Sequence, residues 1–297
     1  MNKVIIITGL TCSGKSDLAI DIAREYDGEI VSADSVQIYR GLDIGSAKVD
    51  KYTMSAISHH LIDIKAFDES YNVGQFLSDV QKALKDITSR GKVPIIVGGT
   101  GMYVKALIEG YSLGGTSANQ EFREKYQKLA QKHGNKAVWD ELYRLNPSRA
   151  ESVHFNNLKR VIRYLEIECN HEDIQRTESI LKDYKYYAVG IIDDREKIYQ
   201  RINHRVDKMI GAGLEDEIKT LISHGATREM QSMTSIGYKE WFDYIEGNIS
   251  RKDMINLIKQ HTRNYCKRQM TFLKTIQDLP LLSIEEARVE IRRFLND

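Results

Sequence analysis

The sequence has few of the features that mark secreted, fibrous or membrane proteins. Its 297 residues include only three prolines and three cysteines, and Cys12, Cys169 and Cys266 lie far apart. An odd, scattered set of thiols argues against a disulfide framework, and the absence of CxxC spacing argues against structural zinc. No apolar run approaches the roughly 18 residues of a membrane-spanning helix, so no membrane partner is expected.

The chain also has almost no net charge. Lys and Arg total 43 and Asp and Glu total 42, which gives +1, while apolar residues make up 41%. This composition excludes an intrinsically disordered chain. It does not exclude a nucleic-acid partner, because local clusters of charge decide such binding. The first residues are typical of a strand rather than a signal peptide, so we expect a cytoplasmic protein, and we expect a monomer.

Hydrophobic periodicity predicts an α/β fold in which buried strands alternate with helices. Continuous apolar runs are typical of strands covered on both faces of a parallel sheet. The predicted strands are 4–8, 29–33, 60–64, 93–97 and 186–192. The predicted helices among the first four strands are 16–26, 76–87 and 102–108.

The pattern changes in the middle of the chain. Residues 112–185 are mostly polar, helix-patterned and poor in strands, which predicts a helical insertion domain. Residues 1–111 and 186–297 would then form the catalytic core. Its C-terminal part, from Arg195 onward, is almost entirely helix-patterned.

A glycine-rich segment between the first predicted strand and helix matches the phosphate-binding pattern G-x-x-x-x-G-K-[ST]. It consists of Gly9, Leu10, Thr11, Cys12, Ser13, Gly14, Lys15 and Ser16. Backbone N–H groups in such a loop converge on one anion, and the following helix adds its dipole. Lys15 would contribute a positive charge and Ser16 a hydroxyl ligand for Mg²⁺. The alternative, an ordinary glycine-rich turn, does not account for the flanking strand and helix. We therefore predict a P-loop NTPase-like parallel sheet flanked by helices.

The position where ATPases and GTPases usually carry a metal-binding Asp holds no acid. The strand at 93–97 ends in Gly98-Gly99-Thr100, which disfavours a conventional NTPase. Asp34 follows the second predicted strand. It is expected beside the P-loop, because ligands bind at the carboxyl ends of strands in open α/β sheets. The residues alone leave three roles for Asp34: accepting a proton, holding Mg²⁺ through water, or capping a turn.

Several longer segments resemble the tRNA dimethylallyltransferases, also called tRNA isopentenyltransferases. In family order they are EIVSADSVQIYRGLDIGSAK at 29–48, HHLID at 59–63, GGTGMY at 98–103, RINHRVDKM at 201–209, IGYKE at 236–240 and TRNYCKRQ at 262–269. The chain departs from the usual family residues at Leu10, Cys12, 154–157 and 272–273.

The resemblance implies an alkyl transfer. Dimethylallyl diphosphate would donate its dimethylallyl group to N6 of adenosine 37, next to the tRNA anticodon, and diphosphate would be released. The diphosphate would lie in the P-loop, with Mg²⁺ on Ser16. Asp34 would accept the proton, Arg205 would neutralise the leaving group, and Thr100 would bond to Asp34 or a substrate. The residues alone leave a surface charge for Arg205 and a helix cap for Thr100 as alternatives.

A tRNA partner further implies a basic surface. Lys259, Arg263 and Lys267 recur at every fourth residue, which predicts one helix face. The predicted tRNA contacts are Asp34, Ser35, Val36, Gln37, Thr100, Arg123, Lys159, Arg160, Arg163, Arg263, Lys267 and Arg268. From the residues alone, a merely solvated helix face is the alternative.

Two other enzymes would share the P-loop. A P-loop kinase of a nucleoside or small metabolite explains the loop, but neither the basic C-terminal helix nor the long insertion. An isopentenyltransferase acting on free adenine nucleotides would share Asp34 and Lys15 and would need little RNA surface.

Overall fold

The computed structural model describes residues 2–110, 119–170 and 178–297. The chain forms two compact units, the first comprising Met1–Glu109 with Ser179–Asp297, and the second comprising Gly110–Glu178. The second unit thus starts and ends somewhat earlier than the insertion at 112–185 that the sequence predicts.

The first unit is built on a parallel sheet. In the described ranges its strands are β1 (Lys3–Gly9), β2 (Gly28–Ser32), β3 (His59–His60), β4 (Val93–Val97), β5 (Lys185–Ile191) and β6 (Leu281–Leu282). The order across the sheet is β3-β2-β4-β1-β5-β6, and every neighbouring pair is parallel. The predicted parallel α/β sheet is confirmed.

The central strand β1 shows why its sequence is continuously apolar. Val4 and Ile6 join the hydrophobic core on one side of the sheet, whereas Ile5 and Ile7 join the core on the other. All four side chains are fully buried. Successive residues of a strand point to opposite faces, so a strand covered on both faces must be apolar throughout.

Helices flank this sheet and form the second unit. In chain order the described helices are α1 (Lys15–Glu25), α2 (Lys51–Ala56), α3 (Val73–Ser89), α4 (Gly101–Glu109), α5 (Gln120–His133), α6 (Asn135–Leu145), α7 (Pro147–Glu151), α8 (Leu158–Cys169), α9 (Arg195–Gly211), α10 (Leu214–Ser223), α11 (Glu240–Ile245), α12 (Arg251–Leu273) and α13 (Ile284–Asn296), with a short 3₁₀ helix at Ser232–Thr234. No helix in the three described ranges has the length and apolar character needed to cross a bilayer.

The second unit has a hydrophobic core of its own. Val138, Leu142, Val161 and Leu165 are fully buried in it. Trp139 donates its indole N–H to backbone carbonyls of the same unit. Over 119–170 the unit is helical, as the sequence predicts, while 111–118 and 171–177 lie outside the described residues.

The strand predicted at 60–64 is wrong beyond His60. Leu61 and Asp63 have φ values of 62° and 56°, which an extended strand does not allow. Tertiary contacts account for this local conformation, since the buried ammonium group of Lys48 lies 2.6 Å from the Asp63 carboxylate. The two-residue strand β6 also escaped prediction, because it is too short to show a period of two.

Candidate active site

The P-loop is shaped to leave backbone donors free. Gly9 has a φ of 146°, and a Cβ there would lie 2.4 Å from the carbonyl oxygen of Ile191, so only glycine fits. Gly14, at the start of α1, has backbone angles in the left-handed region. Among the hydrogen bonds of the described residues, none uses the backbone N–H of Gly14, Lys15 or Ser16. These three unpaired donors lie at a helix N-terminus, an arrangement suited to binding an anion.

The side chain of Lys15 is held inside this loop. Its ammonium group donates to the carbonyl of Leu10 at 3.1 Å. Desolvation, and then the nearby charge of Arg205, lower the pKa of Lys15 to about 8, although Asp34 acts in the opposite direction. An anionic ligand would favour the charged form and raise this pKa.

Two cavities meet beside the P-loop. The smaller one, of about 90 Å³, is lined by Lys15 and Ser16. The larger one, of about 360 Å³, has an apolar part lined by Ile202, Val206 and Met209. Both cavities are lined by Thr11, Asp34, Ser46, Arg205 and Tyr265. The pocket at the P-loop and the larger pocket with its apolar part thus share a wall that carries a carboxylate and a guanidinium group.

Asp34 uses only one carboxylate oxygen for local structure. Oδ1 accepts hydrogen bonds from the backbone N–H groups of Val36 at 2.8 Å and Gln37 at 3.4 Å. The turn cap considered from the sequence is therefore present. No hydrogen bond in the described part of the chain uses Oδ2, which leaves one oxygen of the half-buried carboxylate available to a ligand.

Thr100 precedes α4 and points its hydroxyl at the segment after β2. Its Oγ1 accepts from the Ser35 backbone N–H at 3.0 Å and lies 3.3 Å from the Ser35 hydroxyl. Only its backbone carbonyl serves the first turn of α4, by accepting from Tyr103 and Val104. Thr100 also lines the larger cavity with Ser35 and Val36. The hydroxyl of Thr100 thus links the two strand ends that face the cavities.

Arg205 is directed inward from α9. One guanidinium nitrogen lies 3.4 Å from the carbonyl oxygen of Ser46, and another lies 3.9 Å from the sulfur of Cys12. The residue is half-buried. Gln37, which lines the smaller cavity, donates to the same Ser46 carbonyl and to that of Ala47, both at 3.4 Å.

Sequence reasoning missed two polar residues of α12 that lie in this site. Gln269, which is 6% exposed, accepts from the Thr11 N–H at 2.8 Å and donates to the Gly99 carbonyl at 2.9 Å. The Tyr265 hydroxyl donates to the same carbonyl at 3.1 Å. Burial, and then the charge of Asp34, raise the pKa of Tyr265 to about 12. The spacing of four residues between Tyr265 and Gln269 was a usable signal, because it places both on one helix face.

Part of the basic face predicted on α12 is occupied by contacts with another helix. Lys259 forms an ion pair with Asp207 at 2.6 Å, and Arg263 donates to the Asn203 side chain at 2.6 Å. Both partners belong to α9. Lys267 and Arg268 are exposed, and the Arg268 guanidinium lies 5.7 Å from the ring centroid of Tyr265. Arg268 also lines the larger cavity.

Two of the predicted cations in the second unit share one carboxylate. Arg123 and Arg163 lie 2.9 and 2.7 Å from an oxygen of Glu166, whose side chain is fully buried. Burial alone would raise the pKa of Glu166, but the hydrogen bonds from both arginines lower it overall. Both arginines thus have a carboxylate partner within the unit, whereas Lys159 and Arg160 are exposed on α8.

The described residues contain no cluster of three or more His, Cys, Asp or Glu side chains that would hold a metal ion by itself. The Ser16 hydroxyl and the Asp34 carboxylate line the same small cavity. Any divalent cation there would need further oxygen ligands from a substrate or water.

Comparisons with known proteins agree with this architecture. The IPP transferase family model matches residues 37–276. The chain is 44% identical to a tRNA dimethylallyltransferase of an Exiguobacterium species, over 91% of this chain and 87% of that protein.

Solved structures give the same result. A tRNA isopentenylpyrophosphate transferase from Bacillus halodurans is 36% identical with a TM-score of 0.73, over 100% of this chain and 96% of that one. A eukaryotic dimethylallyltransferase acting on tRNA is 27% identical with a TM-score of 0.75, over 96% of this chain and 74% of that one. Since the family model spans well over half of the sequence, the chain belongs to the IPP transferase family.

Proposed function

We propose that this protein transfers the dimethylallyl group of dimethylallyl diphosphate to N6 of adenosine 37, next to the anticodon of tRNA. The observation that carries the proposal is the wall shared by the two cavities, where Asp34 and Arg205 lie. A group transfer needs two substrates in contact, with a proton acceptor and a cation at the reacting atoms. The names of the relatives support the same activity.

The smaller cavity would hold the diphosphate of the donor. Free N–H groups of Gly14, Lys15 and Ser16, together with the Lys15 ammonium, would bind its oxygens. In the reaction the allylic C–O bond breaks, and both of its electrons leave with the diphosphate. Arg205 would stabilise the negative charge that develops there, because its guanidinium group matches phosphate oxygens.

The larger cavity would hold the dimethylallyl group and the acceptor base. Its apolar wall of Ile202, Val206 and Met209 suits the allyl unit. As the bond from N6 to the allylic carbon forms, a proton must leave the amine. Asp34 would accept it on Oδ2, while Oδ1 remains bonded to Val36 and keeps the carboxylate oriented.

Mg²⁺ fits the P-loop end of the site. In proteins this cation is usually held by one or two side chains, waters and substrate phosphates. Ser16 would be the protein ligand, because its hydroxyl lines the small cavity. When bound, the ion would neutralise charge on the diphosphate.

The acceptor base must leave the anticodon loop to reach the cavity. Loop bases are less costly to extrude than duplex bases. Exposed cationic side chains of the protein would then contact the phosphate backbone of the RNA. Lys267 and Arg268 are placed to do so, since they are exposed and Arg268 lines the larger cavity.

Replacing Lys267 and Arg268 together by Gln is therefore expected to weaken tRNA binding and to reduce its salt dependence. The log–log salt slope should fall by about one unit or less for each cation that no longer pairs with a phosphate. Binding should be measured by fluorescence anisotropy across a salt series, with Lys252→Gln, at the exposed start of α12, as the matched control. Equal slopes in wild type and the double variant would show that this face is only solvated.

The proposed activity is tested by giving the protein tRNA and, separately, the substrates of the two alternative enzymes. Purified protein is incubated with labelled dimethylallyl diphosphate, Mg²⁺ and either unmodified tRNA or AMP, and a parallel reaction contains ATP with a panel of nucleosides. We expect label on tRNA and none on AMP. In the parallel reaction we expect no phosphorylated nucleosides. Label on AMP would identify a nucleotide isopentenyltransferase, and phosphorylated nucleosides would identify a kinase; either result without tRNA labelling would overturn the proposal.

A further inference from the structure

The turn at residues 45–47 forms a wall of both cavities. Gly45 and Ser46 line the larger one, and Ser46 and Ala47 line the smaller one. The Ser46 carbonyl also accepts from Arg205 and from Gln37. This turn therefore contacts two polar side chains of the site through one backbone carbonyl.

A single carboxylate from α10 holds this turn from behind. Glu217 accepts hydrogen bonds from three consecutive backbone N–H groups: Asp43 at 3.0 Å, Ile44 at 2.6 Å and Gly45 at 3.2 Å. A carboxylate with three backbone donors is a strong anchor, because hydrogen bonds to an ionised group are about twice as strong as neutral ones. Glu217 does not line either cavity.

Tyr238 completes the anchor. Its side chain is fully buried, and its hydroxyl donates to Glu217 at 2.8 Å. A Cβ at Gly45 would lie 2.5 Å from its ring, so ring and turn are in close contact. Burial and the neighbouring Glu217 raise the pKa of Tyr238 well above its usual range, and the hydroxyl stays a donor. Ile236 and Gly237, just before Tyr238, line the larger cavity.

We propose that Glu217 and Tyr238 are positioning residues, which hold the 45–47 turn so that its Ser46 carbonyl orients Arg205 toward the leaving group. Neither Glu217 nor Tyr238 lines either cavity, so both would act through the turn. This inference rests on the proposed transferase function. It adds a second layer of residues behind the reacting groups, anchored on α10 and on the segment before α11.

The test combines kinetics with a double-mutant cycle. Glu217→Gln keeps the shape but replaces one acceptor oxygen by an NH₂ group, and Tyr238→Phe keeps the ring but removes the hydroxyl. Each is expected to lower kcat about 10- to 100-fold, as misplacement of catalytic groups does, with little change in tRNA affinity. Glu215→Gln is the matched control, since Glu215 lies on the same helix and forms ion pairs with Lys219 and Arg251.

If Glu217 acts through Arg205, the effects on kcat of substituting these two residues should not be additive. In an Arg205→Lys background, adding Glu217→Gln should lower kcat less than about 3-fold further, because the group it positions is already changed. A full-sized additional loss in that background, or variants that behave like Glu215→Gln, would overturn the inference. An inactive wild-type protein would instead overturn the proposed function. Thermal denaturation shows whether Glu217→Gln folds. If it does not fold, the same comparison is made with Tyr238→Phe, alone and in the Arg205→Lys background.

Discussion

Asp34→Asn is expected to lower the single-turnover rate of transfer by about 10²- to 10⁴-fold, the range for loss of a general base. The amide still accepts the Val36 hydrogen bond through its oxygen, so the turn after β2 is preserved. What disappears is the basic oxygen that would take the N6 proton. Rapid-quench measurement with enzyme in excess over labelled donor isolates this chemical step, and tRNA affinity measured in parallel should remain near the wild-type value.

The matched control for Asp34 is Asp50→Asn. Asp50 also caps a turn of backbone, accepting from Thr53 at 2.9 Å at the start of α2, but it lines neither cavity. If Asp34 served only as a cap, both variants would transfer at the wild-type rate. That outcome would remove the proton-accepting role from Asp34.

Lys15→Ala is expected to weaken the binding of inorganic diphosphate by about 10- to 100-fold, the equivalent of one hydrogen bond to a charged group. The fold should survive, because the Lys15 side chain lies in a cavity rather than in a hydrophobic core. Isothermal titration with diphosphate and Mg²⁺ measures the loss. Lys82→Ala, on the exposed side of α3, is the control and should bind as wild type.

The pH dependence of this binding follows from the same residue. The pKa of Lys15 in the free protein is lowered to about 8, so the ammonium is charged below that pH and loses its proton as the pH rises through it. Diphosphate affinity of the wild type should therefore decline above about pH 8, because binding must then also take up a proton. Lys15→Ala should lack this decline. The same decline in both proteins would show that another group is responsible.

Much of the fold could be predicted because its signals are local. The P-loop requires glycine at Gly9 and Gly14 for backbone angles that other residues avoid. A strand such as β1 must be apolar throughout when both faces are covered. The resemblance to the tRNA dimethylallyltransferases led to the family that the comparisons then showed.

Other features depended on partners distant in the sequence. The strand predicted at 60–64 stopped at His60, because Lys48 binds Asp63 in a turn that no local pattern encodes. Periodicity assigned Lys259 and Arg263 to a basic face, but α9 presents Asp207 and Asn203 to them. Helical spacing shows which side chains share a face, and it does not show what the neighbouring helix places opposite.

The sequence by itself thus determined the glycine-rich loop between β1 and α1, the parallel sheet and the family, since each is written in contiguous residues. Only the tertiary structure decided how the site is assembled. It brought Gln269 from α12 onto the P-loop, 258 positions away, and Glu217 from α10 onto the turn beside Arg205. These contacts join segments that are far apart in the chain, and their hydrogen bonds form only when the sheet and its helices have packed.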